Sequence, residues 1–300
     1  MNINTHDALA QAIIAANPTL ALTVDTTRSA IFSSEAAVYR AAKEACLALG
    51  FIEPDAECVA KAWQAMSQRT GQFNAQAWPE QAADFGMRAW PRKDAFAACP
   101  QKLGLYAVLP DAAWVARMVR AGVTTVQLRF KSGDSAAIER EVRAAVQAVQ
   151  GTDALLFIND HWQAAITAGA YGVHLGQEDM DSADLQKIRA AGLRLGLSSH
   201  GYAEMLRADR FSPSYIAMGA VFPTTLKQMV TAAQGTGRLR AYARLMRDYP
   251  LVAIGGIDAS RLPEVLVSGV GSVAVVRALV AAEQPEAMAA SLQAAINAMI

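Results

Sequence analysis

The sequence predicts an α/β fold, a (β/α)8 TIM barrel behind a mostly helical N-terminal extension, and three observations predict it. Over the last two thirds of the chain short β-rich runs alternate with helical segments, the pattern of parallel strands joined by helical crossovers. The number of strand runs is eight. The stretch that holds them, Leu103 to Ile300, is 198 residues long, close to the lower size of about 200 for an eight-unit barrel.

Taken in order, Ser34 to Gly50 and Asp55 to Thr70 are rich in Ala, Glu and Lys with apolar residues at helical spacing, and they predict helices. The texture changes across Trp78 to Pro100, with the break near Cys99. The division is therefore 1–100 for the extension and 101–300 for the barrel. Strands are predicted at Leu103 to Leu109, Thr125 to Phe130, Leu155 to Ile158, Gly172 to Leu175, Arg194 to Leu197, Tyr215 to Gly219, Leu251 to Ile254 and Ser272 to Val276. Helices are predicted at Ala112 to Ala121, Ser135 to Gln150, Ser182 to Ala191, Gly237 to Asp248 and Pro285 to Ile300. A dinucleotide-binding sheet competes through Gly269-Val270-Gly271-Ser272. That turn should follow a strand and open a helix, whereas here it follows a helix and opens a strand.

Composition narrows the function. The chain is 53% hydrophobic and 18% charged, enough apolar material for a packed core. Lys plus Arg, 27, equals Asp plus Glu, 27. No overall field favours nucleic acid or an anionic membrane, so neither is expected as a partner. Three cysteines, Cys46, Cys58 and Cys99, form no CxxC pattern and suit a reducing cytoplasm. The N-terminus lacks a signal-peptide pattern, and the apolar stretch Ser268 to Ala282 is short and broken by Arg277. A cytoplasmic location is expected; the oligomeric state is left open, a homo-oligomer included.

In a β/α barrel, chemistry sits where strands end and loops begin. The second strand ends in Gln127-Leu128-Arg129-Phe130-Lys131, the third in Asn159-Asp160, the fourth in Gly176-Gln177-Glu178-Asp179 and the fifth in Ser198-Ser199-His200. The sixth runs into Phe222-Pro223-Thr224-Thr225-Leu226-Lys227, the seventh ends in Gly255-Gly256 and the eighth at Val276-Arg277. Taken singly, Asp160 and Asp179 read as a helix cap and a solvated acid. Nineteen positions apart, they stand at adjacent strand ends. Two acids beside Arg129, Lys131 and Lys227 imply a hard cation such as Mg²⁺ together with a pyrophosphate. The Gly255-Gly256 and Val276-Arg277 ends suggest a second anion site built on backbone amides. His174, within a strand, reads as a hydrogen-bonded structural histidine, and His161 and His200 as capping, packing or site residues.

The segments QLRFK, IND, YGVHLGQED, GLSSH, GAVFPTTLK, VAIGGI and GSVAVV occur in order at consecutive strand ends, and in this they resemble the thiamine-phosphate synthase family over about Leu103 to Ala278. The resemblance implies a transferase that couples a hydroxymethylpyrimidine pyrophosphate to a thiazole phosphate and releases pyrophosphate. It implies that Gln127, Arg129, Lys131, Asn159 and Lys227 bind the pyrimidine pyrophosphate, that Asp160 and Asp179 hold Mg²⁺, and that Ser198 contacts the pyrimidine substrate. Thr224, Thr225, Gly256, Val276 and Arg277 fall on its thiazole-phosphate segments. Arg129, Lys131, Lys227 and Ser198 are the expected catalytic set.

Three positions depart from the family pattern: Phe130 replaces an acid, Leu226 a threonine and Arg277 a serine. Alternatives are a related thiazole tautomerase and a non-catalytic regulatory homologue. In the extension, Ser33 to Met66 resembles in texture the C-terminal helical part of a hydroxymethylpyrimidine-phosphate kinase. The glycine-rich anion-binding turn such a kinase needs is absent before Ser33, so no kinase activity is expected. The loop Phe222 to Gly237 is long, and Gly235 and Gly237 would permit its movement.

Overall fold

A computed structural model describes residues 5–22, 31–224 and 231–299. Eight parallel strands close into a barrel in sequence order: β1 (Gly104–Leu109), β2 (Thr125–Leu128), β3 (Leu155–Asn159), β4 (Gly172–Leu175), β5 (Arg194–Ser199), β6 (Tyr215–Met218), β7 (Leu251–Ile254) and β8 (Ser272–Val275). β8 pairs back on β1 through Gly104 and Ser272.

Side chains alternate across the barrel wall, as a two-residue period requires. Tyr106, Val108, Phe157, Tyr215, Ala217, Val252 and Ala274 fill the interior as a small core of their own. Their neighbours Leu105, Val126, Ile158, Val173, Leu197, Ile216 and Val273 face outward against the helices in a much larger core. Both faces of β1, β3, β6, β7 and β8 carry apolar side chains, so these strands stand out as short hydrophobic runs, whereas β2, β4 and β5 turn Gln127, His174 and Ser198 inward. Glycines make room for the interior rings. A Cβ on Gly196 would sit 2.1 Å from the Tyr215 ring, and one on Gly172 would sit 2.7 Å from Phe157.

The helices are α1 (Thr5–Ala16), α2 (Ala37–Ala48), α3 (Glu53–Thr70), α4 (Ala112–Arg120), α5 (Ser135–Val149), α6 (Trp162–Ala168), α7 (Asp179–Ser182), α8 (Leu185–Ala190), α9 (Tyr202–Asp209), α10 (Gly235–Leu245), α11 (Leu262–Leu266), α12 (Arg277–Val280) and α13 (Pro285–Asn297). Asp111, Asp134 and Asp184 cap α4, α5 and α8 with carboxylate bonds to the first-turn amides of Trp114, Ala136 and Lys187. The helix predicted over Ser182 to Ala191 is α8 and starts later, at Leu185, because Ser182 ends α7, Ala183 is extended and Asp184 forms the new cap. No helix of the described residues is long and apolar enough to cross a membrane.

The described residues of the first hundred pack against the outside of the barrel on α9 and α10. Trp78 Nε1 donates to the Tyr202 hydroxyl at 2.8 Å, and Phe85 stacks on the same ring at 5.4 Å. Arg238 of α10, buried, donates to the carbonyls of Leu20 and Leu49 while its guanidinium lies 3.6 Å over the Phe51 ring. A Cβ on Gly237 would meet the Thr19 carbonyl at 1.9 Å, so this glycine serves a close approach of the extension to α10.

Candidate active site

The C-terminal ends of the strands surround one cavity of about 720 Å³. Each strand end contributes to it for a local reason. On β2, alternation turns Gln127 inward, and the chain beyond the strand sends Arg129 and Lys131 to the same side. On β3, Asn159 is buried and points inward. The next residue, Asp160, takes a left-handed backbone with φ of 63° while its amide donates to the His174 carbonyl at 3.0 Å. Asp is one of the few residue types that tolerates that conformation.

Across the cavity mouth the Lys131 ammonium pairs with Asp160 Oδ2. Asp179, at the start of α7, accepts a hydrogen bond from the Gly176 amide at 3.0 Å. Ser198 and His200 enter from β5 and the loop after it, and Thr224 from the loop after β6. The β7 end supplies Gly255 and Gly256, both with positive φ, 107° and 63°. A Cβ on Gly256 would lie 2.6 Å from the Pro223 carbonyl, so the β6 and β7 loops meet here only through a glycine. β8 adds Val276, and α12 begins with Arg277.

Eleven of the residues singled out in the sequence thus share one cavity: Gln127, Arg129, Lys131, Asn159, Asp160, Asp179, Ser198, Thr224, Gly256, Val276 and Arg277. Thr225 and Lys227, with Leu226, lie outside the described residues. Phe130, the departure in the QLRFK segment, packs against the outer core, and its carbonyl lies 2.9 Å from His161 Nε2.

Sequence reasoning passed over the floor of the cavity. Gln127 Nε2 donates to the Tyr106 hydroxyl at 3.2 Å, Tyr106 and Tyr215 share a hydrogen bond of 2.7 Å, and Tyr215 meets His174 Nδ1 at 2.7 Å. His174 Nε2 then reaches Ser198 Oγ at 2.8 Å. Burial pushes both phenols above their ordinary pKa, so both remain neutral donors and acceptors. His174 is structural in its bonding, as its place within β4 suggested, yet it also lines the cavity. A second omission is Arg261, whose guanidinium donates to the Gly256 carbonyl at 2.6 Å and lies over Phe222. It stands at the N-terminus of the short α11, and no strand-end motif marks it.

Fold and site together define a (β/α)8-barrel enzyme whose rim sets cationic side chains against carboxylates over a polar floor. The model of the thiamine monophosphate synthase family matches residues 105–279, and the chain belongs to that family. It is 57% identical over 192 residues to a thiamine-phosphate synthase of Neisseria meningitidis serogroup A, covering 64% of this chain and 94% of that one. It is 49% identical over 197 residues to a thiamine-phosphate synthase of Yersinia pestis, covering 66% and 92%. Among solved structures, a thiamine phosphate pyrophosphorylase from Pyrococcus furiosus matches with a TM-score of 0.60 and 28% identity, over 67% of this chain and 98% of that chain. Matches that fill these relatives almost completely leave them no room for a counterpart of the first hundred residues.

Proposed function

We infer that the protein joins a hydroxymethylpyrimidine pyrophosphate to a thiazole phosphate, giving thiamine phosphate and pyrophosphate. The observation that carries this reading is the single cavity in which Arg129 and Lys131 face Asp160 and Asp179, in a chain of this family. In the reaction the bond between the pyrimidine methylene carbon and the pyrophosphate oxygen breaks, with its electron pair leaving on oxygen. The thiazole nitrogen lone pair then forms the new carbon–nitrogen bond. No side chain has to act as a nucleophile.

The chain's own residues divide this work by position. Arg129 and Lys131 donate charge-assisted hydrogen bonds to the departing pyrophosphate, where negative charge grows. Asn159 lies beside them, and Lys227 belongs to the same set by its place in the motif. Gln127 and Ser198, fixed through the tyrosines and His174, orient the pyrimidine. Thr224, the Gly256 backbone, Val276 and Arg277 face the thiazole phosphate, with Thr225 beside Thr224 in sequence. Asp160 and Asp179 are an all-oxygen pair on adjoining strand ends, the donor chemistry that suits a hard cation completed by phosphate oxygens. They would hold Mg²⁺, which when bound neutralises charge on the pyrophosphate. The three cysteines are free, which suits a cytoplasmic setting.

The test is pyrophosphate release from purified protein with both substrates, each substrate alone, and both with a chelator. Release is expected only with both substrates, lost with chelator and restored by Mg²⁺. Turnover of a thiazole carboxylate phosphate without pyrimidine would favour a tautomerase, and binding without turnover a regulatory homologue; either would sink this reading.

A further inference from the structure

The loop after β5 is short: only His200 and Gly201 separate β5 from α9. Ser198, Ser199 and His200 line the cavity. The helix that follows has glycine at its N-cap, which offers no side-chain oxygen to its first-turn amides. The missing acceptor comes from the extension. Asp55, in the first turn of α3 and buried, accepts from the Ala203 amide at 2.8 Å and also from the Tyr202 amide. A Cβ on Gly201 would lie 2.0 Å from Asp55 Oδ2, so the carboxylate seats itself where only glycine leaves space. His200 is tied to the same helix, its amide and Nδ1 both meeting Glu204 Oε2, at 2.8 and 2.6 Å.

The grip extends along the helix. At its other end Arg92 pairs with Asp209 at 2.8 Å and donates to the Asp209 carbonyl. Both ends of α9 are therefore held by residues from the first hundred, a region for which the relatives above have no counterpart. A helix cap supplied from another part of the chain fixes where the helix starts, and with a two-residue link that start fixes the cavity wall.

We propose that Asp55 is a positioning residue for the active site, setting the Ser198–His200 wall through α9 and so governing how the pyrimidine substrate is held. The proposal rests on the reaction inferred above. It also distinguishes the two substrates. The wall after β5 faces the pyrimidine side, whereas the thiazole-phosphate loops after β7 and β8 make no contact with Asp55 through the bonds described.

Full-length Asp55→Ala and Asp55→Asn proteins would be compared with wild type by steady-state kinetics and by hydrogen exchange over residues 198–205. Asp55→Ala is expected to speed exchange there and to raise KM for the pyrimidine pyrophosphate about fivefold, the equivalent of one lost cap. KM for the thiazole phosphate should stay unchanged, and Asp55→Asn, which keeps one acceptor oxygen, should recover most of the effect. Gly201→Ala approaches the same contact from the barrel side. It should reproduce the KM rise in the wild-type background and add little to Asp55→Ala, where the obstructing carboxylate is gone. Equal loss of kcat for all conditions with both KM values fixed, tracking the folded fraction, would overturn the proposal. So would unchanged exchange at residues 198–205. A wild-type protein that couples nothing would sink the reaction itself, while the exchange result would still judge the clamp.

Discussion

His174 Nε2 lies 2.8 Å from Ser198 Oγ across adjoining strands β4 and β5, while its Nδ1 lies 2.7 Å from the Tyr215 hydroxyl. Both ring nitrogens are thereby engaged, and the ring stacks on Tyr215 with centroids 5.6 Å apart. A neutral imidazole has one donor and one acceptor nitrogen, so the hydroxyls of Ser198 and Tyr215 must point in one consistent sense along the chain that ends at Gln127. Ser198, which lines the cavity, is thus oriented from beneath by His174 and Tyr215.

Replacing His174 by Phe keeps a ring of similar shape and removes both nitrogens. The buried Tyr215 hydroxyl loses a partner, at a cost of about 1–3 kcal/mol. Turnover is expected to fall about tenfold or more as Ser198 loses its orientation. Urea denaturation and pyrophosphate release measure the two effects separately; a variant with full activity would show that the floor does not orient Ser198.

The Lys131–Asp160 pair sets function apart from stability. Lys131 is 56% exposed and Asp160 24%, so the pair contributes less than about 1 kcal/mol to folding. Asp160→Asn is the cleaner substitution, because Asn also accepts the left-handed backbone at φ of 63°. The melting temperature should stay within a few degrees, whereas the Mg²⁺ concentration for half-maximal rate should rise roughly tenfold or more. An unchanged Mg²⁺ dependence would count against Asp160 as a ligand in the proposed Mg²⁺ site.

How much of this was legible in sequence differs between parts of the molecule. The eight strands were, because both faces of a barrel strand are buried and the runs from Leu155 and Leu251 are apolar almost throughout. The rim was legible through recurrence: Asp160 alone reads as a helix cap, but polar residues or glycines follow nearly every strand, and Asp160 and Asp179 stand at adjacent strand ends. The floor was not, because Tyr106 and Tyr215 are ordinary strand residues by propensity. Their meaning lies in a 2.7 Å contact between residues 109 positions apart. The short helices α6 and α11 escaped because seven and five residues are too few to show a helical period. Nothing in the sequence marks the role of Asp55. As an acid in a first helical turn it reads as a partner for the dipole of α3, yet its carboxylate serves α9, 148 residues away.

That placement carries a pH dependence. Burial pushes the Asp55 carboxyl up from 3.8 to about 6, against the opposing effects of the Ala203 amide and the Arg238 charge, with Glu204 raising it further. The folded protein therefore binds a proton there at pH values where the unfolded chain has released it. Stability from this group is full below about pH 4, declines as pH rises toward 6, and is level above. Asp55→Asn removes the titration. The stability of wild type relative to Asp55→Asn should fall by on the order of 2 kcal/mol between pH 4 and pH 7. Urea unfolding of both proteins across that range measures it, and parallel curves would show that folding leaves the Asp55 carboxyl at its ordinary pKa.

The opposite end of α9 gives the sharpest contrast between breaking and replacing an interaction. Arg92 and Asp209 are 2% and 5% exposed and 2.8 Å apart, and Arg92 also donates to the Tyr249 hydroxyl and to Ser212 Oγ. The Tyr249 hydroxyl in turn donates to Asp209 at 2.8 Å. Removing only the cation, in Arg92→Met, leaves the Asp209 carboxylate buried without its counter-charge, and such losses cost about 3–5 kcal/mol. Replacing both, in Arg92→Met with Asp209→Leu, deletes the stranded charge along with its partner. The double variant is then expected to be more stable than Arg92→Met alone, because desolvating two ions offsets most of what their attraction returns. Denaturation midpoints of the four proteins in the cycle decide the matter. A double variant less stable than either single one would mean that no stranded charge is relieved and that Arg92 and Asp209 contribute separately, through partners such as the Tyr249 hydroxyl.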